Sequence, residues 1–143
     1  MTIDEIYDTA LYLAEKTDDD TGYIDSEYKN QHKKKAELLI RQSIRKYAYL
    51  ENISMTDVDR FKTDEDIPLP SFILKNVIPY YIGAILCCHD MESEKYNILI
   101  HEYQEAINQI KHDEQIMDFC DILQEMEWFY CIRSLIKERE HML

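Results

Sequence analysis

Residues 71–86 read Ser-Phe-Ile-Leu-Lys-Asn-Val-Ile-Pro-Tyr-Tyr-Ile-Gly-Ala-Ile-Leu, and this stretch decides the fold. Phe72, Ile73, Val77, Ile78, Tyr80, Tyr81, Ile82, Ala84, Ile85 and Leu86 leave no polar face, the pattern of a helix surrounded by other elements. Pro68 and Pro70 stand ahead of it, where a prolyl ring suits a helix start. Pro79 lies inside it. There it removes one backbone donor and crowds the carbonyl of Lys75, at a cost of about 3 kcal/mol or more unless the helix bends. The expectation is a central helix over 71–91, kinked near Asn76 to Pro79, with Pro79, Tyr80 and Tyr81 largely buried.

Amphipathic segments flank this centre on both sides. Ser93 is placed to cap a helix to about Lys111, on which Tyr96, Leu99, Ile100, Tyr103, Ala106, Ile107 and Ile110 form one stripe. Thr2-Ile3-Asp4-Glu5 has the form of a capping box. It opens a helix over 3–16 with Ile3, Ile6, Tyr7, Ala10, Leu11 and Ala14 on one face, ended by an acidic run and Gly22. Asp25 or Ser26 caps a long helix to about Glu51, with Tyr28, Ala36, Leu39, Ile40, Ile44, Tyr47 and Leu50 aligned. Residues 52–69 lack sustained periodicity and carry Asp57, Asp59, Asp64, Glu65 and Asp66. They are expected to form a long acidic surface loop, with room for one helical turn, and to be among the less ordered parts of an isolated subunit. Beyond Asp113, Ile116, Phe119, Cys120, Leu123, Met126 and Tyr130 recur at helical spacing, while Trp128, Phe129 and Tyr130 suit a short strand as well; both remain open. The sum is an all-α bundle of four to five helices in one domain over 1–143, its core at about 3–111.

Composition supports that class. Two glycines and three prolines in 143 residues are too few for a turn-rich β fold. A hydrophobic share of 45% is ample for a core, so the acidity does not imply disorder. The net charge of −13 opposes binding to a phosphate backbone. Lys33, Lys34, Lys35, Arg41, Arg45 and Lys46 are the one basic concentration, read as a solvated helix face. Asp4 and Glu5 follow Met1 without a basic or apolar leader, so no secretory signal is expected. Cys87, Cys88, Cys120 and Cys131 lack zinc-site spacing and read as reduced, mostly buried thiols.

Motifs that would carry chemistry are incomplete. Thr17 to Tyr28 imitates a calcium loop through Asp19, Thr21, Gly22 and Ile24, but Thr17 stands where an aspartate is needed and Tyr28 where a bidentate glutamate closes the shell. His89-Asp90 and His112-Asp113 resemble the paired ligands of metal-dependent phosphohydrolases. That chemistry also needs an upstream histidine, for which His32 is available, and a downstream aspartate. Glu138 to His141 holds a single ExxH where a di-iron bundle needs two. No catalytic, cofactor-binding or metal-ligating residue is therefore assigned. Tyr80, Tyr81, Tyr96 and Tyr103 read with Pro79 as core and interface residues rather than as a ligand pocket.

The run Ile67-Pro68-Leu69-Pro70-Ser71-Phe72-Ile73, then Val77 to Leu86, then Tyr96 to Ile110 after a short acidic turn, resembles the head-tail connector (head completion or adaptor) family of tailed phages and prophages. The shared features are the prolyl helix start, the Ile-Pro-Tyr-Tyr-Ile centre and a tyrosine before an acidic pair. The resemblance spans roughly residues 3–111. It implies a non-enzymatic helical subunit, without cofactor, that bridges portal protein and tail-completion protein. Self-association into a ring, in some cases only on the portal, would leave a channel for DNA. It further implies a place at the virion head-tail interface, after assembly in the host cytoplasm, with residues 57–66 as an interface loop and no membrane partner. The alternatives are a small helical regulatory or adaptor protein and a His-Asp metal-dependent phosphohydrolase.

Overall fold

The computed structural model describes residues 1–51 and 53–111. Five α-helices account for most of them: α1 (Ile3–Leu13), α2 (Ser26–Tyr47), α3 (Met55–Val58), α4 (Ile78–His89) and α5 (Ser93–Lys111). A 3₁₀ turn, Ala48–Glu51, extends α2, and a π turn, Ile73–Val77, leads into α4. The fold is all-α; among the described residues pairing of the β type is limited to isolated bridges. The chain forms two compact units, Met1–Gln104 and Glu105–Leu143. The fifth amphipathic segment, Cys120, Cys131, His112-Asp113 and Glu138 to His141 lie outside the described residues.

Helix α1 starts where its sequence says it should. Thr2 accepts from the Glu5 amide and the Glu5 carboxylate accepts from the Thr2 amide, completing the capping box. It stops earlier than its apolar pattern suggests, at a Schellman turn. The Lys16 amide donates to the Leu11 carbonyl and the Glu15 amide to Tyr12, with Glu15 left-handed at φ 56°. Its buried face, Ile3, Ile6, Tyr7, Ala10 and Leu11, packs chiefly on α4 and secondarily on α2. Gly83 makes the first of these contacts close: a Cβ there would stand 3.2 Å from the Ala10 carbonyl oxygen and 3.3 Å from Leu99 Cδ1. Against α2, the Tyr7 hydroxyl donates to the Lys29 carbonyl at 2.8 Å.

The helix is interrupted just ahead of Pro79, within the stretch where the sequence places a break. The backbone widens into the π turn over Ile73–Val77, with the Ile78 amide reaching back five residues to Ile73, and Pro79 falls in the first turn of α4, where an amide donor is not required. Pro79 is buried, as are Ile78, Ile82 and Leu86. Tyr80 and Tyr81, expected to be largely buried, are only half-buried, unlike the aliphatic Ile78 and Ile82 on either side, in keeping with a ring whose hydroxyl end favours a polar setting. Tyr81 meets Tyr103 with ring centroids 5.4 Å apart, and Tyr96 and Tyr103 are the tyrosines of this group that α5 buries. Helix α4 then ends as α1 does. The Glu92 amide donates to Cys87, the Met91 amide to Cys88, and Met91 is left-handed at φ 62°. Ser93 is the first residue of α5 rather than a cap preceding it.

The segment 52–69 is not a free acidic loop. It contains α3, capped by Ser54, and buries Val58, Ile67 and Leu69. Arg41 donates to the carbonyls of Val58 at 2.8 Å and Phe61 at 2.7 Å while paired with Glu37, and Arg45 pairs with Asp59. The Asp4 amide donates to Thr63 and the Ile67 amide to Met1, tying the segment to the start of α1. Apolar periodicity gave no sign of this docking, because the segment is held by three separated apolar residues and by cations from α2.

Two substitutions test this account. Gly83→Val should lower stability by about 2–3 kcal/mol in urea unfolding, because the added atoms meet the α1 backbone and cannot all be relieved by rotation of Leu99. Met91→Gly should raise it by about 1 kcal/mol, since a left-handed residue with a side chain is strained there. Met91 is 55% exposed and has little packing to lose.

Candidate functional site

The two Schellman turns place their last residues against each other. Lys16, just past α1, is paired with Asp90, the cap of α4, at 2.7 Å and with Glu92, just past that helix. Lys95, one turn into α5, bridges Glu92 at 2.8 Å and Glu15 at 3.2 Å. The Tyr28 hydroxyl, from the first turn of α2, donates to Asp90 Oδ2 at 2.6 Å, and its ring lies 5.1 Å from the Lys16 ammonium. Charges from three elements and a phenol from a fourth thus meet at one end of the unit.

The environment shifts these groups in opposite directions. Burial alone would lower Lys16, which is 9% exposed, yet hydrogen bonds with Asp90 and Glu92 hold it above the ordinary lysine value. Burial would raise Asp90 and Glu92, but Lys16, with Tyr28 on Asp90 and Lys95 on Glu92, keeps both carboxyls below the usual range. Burial and then the hydrogen bond to Asp90 raise the Tyr28 phenol well above its ordinary value. Burial likewise pushes the Cys87 thiol up to about 11, which makes it a poor nucleophile.

Beside this knot stand His32 and His89. With Asp90 they form a group in which one ligand atom from each residue lies within 4.8 Å of the others. His32 stacks on Tyr28 at 4.0 Å between centroids and meets His89 edge-on at 5.9 Å. The sequence motif His89-Asp90 and the upstream His32 are therefore brought together. The downstream aspartate of a phosphohydrolase is not supplied by α5, which contains none between Ser93 and Lys111. The apparent calcium loop is a tight turn: the Asp18 amide donates to Tyr23, the Gly22 amide to Asp18, and Gly22 adopts φ 72°.

The second candidate surface is the acidic segment. Asp57, Asp59, Asp64, Glu65 and Asp66 are all exposed, although the backbone between them is held from below. Lys33, Lys34 and Lys35 are exposed on α2, whereas Arg41 and Arg45 are engaged within the protein, so the basic stripe is shorter than its sequence suggests. No described helix is long and apolar enough to cross a membrane. Sequence reasoning missed Lys16 and the polar role of Tyr28. Lys16 stood as the last residue of the helix expected over 3–16, next to an acidic run, and a helix end without glycine gave no signal that it turns toward α4.

Lys16→Met should cost about 1–3 kcal/mol, because it leaves the partly buried Asp90 carboxylate without its cation and Glu92 with Lys95 alone. The depressed carboxyls contribute stability above their unfolded values near pH 4 and lose it as pH falls through their folded values. The raised lysine contributes below about pH 10.4 and loses it as pH rises through its folded value. The difference between wild type and Lys16→Met in denaturant unfolding should thus be flat from about pH 5 to 9 and shrink below about pH 4.

No family model matches this sequence, and neither the curated proteins nor the solved structures provide a significant match.

Proposed function

We propose that this chain is a structural subunit of the head-tail connector of a tailed phage or prophage, joining the portal protein to the tail and leaving a channel for DNA. The observation that supports this is where the resembling residues lie. Between Ile67 and Tyr103 they supply Ile67, Leu69, Ile73, Val77, Ile78, Pro79, Ile82, Leu86, Tyr96 and Tyr103 to the buried centre. On this reading the residues that carry the resemblance are those on which the unit packs. A subunit of this kind acts by presenting shape and charge rather than by catalysis. The five exposed carboxylates of residues 57–66 suit such a role: they sit on a segment tied to α1 and α2, so the charge is presented at a defined place. Net charge of −13 favours sliding of DNA past the subunit over adhesion. Its partners would be the portal, the tail-completion protein and further copies of itself, with ring closure on the portal template.

The test is to mix the purified chain with the cognate portal and examine the product by mass measurement and electron microscopy. A multi-subunit ring seated on the portal is the expected outcome. Absence of portal binding, together with tight DNA binding in moderate salt, would overturn the proposal. Charge reversal at Asp57, Asp64 and Glu65 should weaken portal or neighbour binding without lowering helix content in circular dichroism, because none of the three contributes to the core.

A further inference from the structure

We infer that His32, His89 and Asp90 form a binding site for a divalent transition-metal ion of the zinc, cobalt or nickel class, linking α2 to the end of α4. The inference is independent of the connector proposal and rests on four features of the cluster.

The first is convergence: two imidazoles and one carboxylate, from two separate helices, bring one ligand atom each within 4.8 Å of one another. Two nitrogens with one oxygen suit borderline divalent ions, whereas magnesium and calcium prefer oxygen-only shells. The second is the tautomer of His32. Its Nδ1 lies 3.0 Å from the Tyr28 carbonyl oxygen. A carbonyl only accepts, so Nδ1 carries the proton and the lone pair of the neutral ring is left on Nε2. A ligating histidine is oriented in this way, with its other ring nitrogen donating to a backbone carbonyl. The stacked Tyr28 ring holds the imidazole plane from the side.

The third is Asp90. Its Oδ2 is taken by the Tyr28 hydroxyl and the Lys16 ammonium, which fixes the carboxylate and leaves Oδ1 facing His89 Nδ1 at 3.5 Å. The fourth is position. His89 and Asp90 end α4, where the carbonyl end of the helix dipole favours a cation, and His89 is 52% exposed, so the site opens to solvent. Ligand atoms on one ion at about 2.0–2.1 Å stand roughly 3.3 Å apart in a tetrahedron, so binding draws the cluster inward by up to about 1.5 Å. Rotation of the half-exposed His89 side chain supplies that movement. Lys16 next to Asp90 opposes a second cation, which sets the affinity below that of a closed four-ligand structural site; water completes the shell.

The experiment is titration of the full chain with zinc chloride by calorimetry and with cobalt chloride by visible absorption, beside the variants His32→Gln, His89→Gln and His101→Gln. One zinc per chain should bind and raise the thermal midpoint, and cobalt should give the absorption of a low-coordinate nitrogen and oxygen shell. Each of His32→Gln and His89→Gln should weaken zinc by about tenfold or more, while His101→Gln leaves it unchanged. If His32→Gln does not fold, as its helix content would reveal, His89→Gln decides alone, because that side chain is half outside the protein. Failure of wild type to bind zinc, or zinc affinity unchanged in His89→Gln, overturns the inference. Binding of magnesium as tight as zinc would also overturn it.

Discussion

The close approach of α1 and α4 at Gly83 is the constraint on which the rest of the unit depends. With no side chain at that position, the α4 backbone comes within van der Waals reach of the Ala10 carbonyl, and the two helices share their apolar faces instead of merely touching at their tips. Alanines and glycine at the crossing leave the larger residues, Ile6, Leu11, Ile82 and Leu86, free to fill the volume on either side. The same proximity brings the ends of α1 and α4 level. Lys16 can reach Asp90 and Glu92 only because the helices that precede it and them are packed this tightly.

Much of this was legible in the sequence because its causes are local. The capping box at Thr2, the Asp25 cap of α2 and the apolar faces of α1, α2 and α5 follow from residues within a turn or two of one another. The interruption at Pro79 was legible for the same reason, since a missing amide is a property of one residue. What it did not reveal was the form of the interruption, because the widening of the backbone at Ile73–Val77 depends on packing around the helix and not on Pro79 alone. The helix ends at Glu15 and Met91 were also hidden. Schellman turns usually advertise themselves with glycine, and here glutamate and methionine occupy the left-handed positions.

The site was legible only in part. His89-Asp90 and His32 could be named from spacing and type, but fifty-odd residues of chain separate them, and nothing in that interval says that α2 runs past the end of α4. Residues 52–69 show the converse. Their lack of periodicity suggested a loose loop, yet two arginines from α2 reach across and hold it, an arrangement that depends on long-range pairing. Those arginines have an electrostatic effect as well. Arg45 neutralises one of the exposed acids, Asp59, and the N-terminal ammonium another, Asp66, so Asp57, Asp64 and Glu65 carry the exposed negative charge of 57–66, with Arg60 and Lys62 exposed between them.

The π turn at Ile73–Val77 carries a consequence for how this chain can change its length. A π turn accommodates one residue more than an α turn while delivering the chain to the same place, so a helix containing one holds a removable unit. Loss of a single residue there, such as the exposed Lys75 or Asn76, would turn the wide turn into an ordinary one and leave the helical phase of Ile78 to Leu86 where it is, at the cost of placing Pro79 inside a continuous α-helix. Elsewhere in α4 the same deletion would rotate every following side chain by about 100° and take Gly83 away from α1. The central helix therefore has one point at which the phase of its packing face is decoupled from its sequence register, about two turns ahead of the crossing that tolerates no such shift.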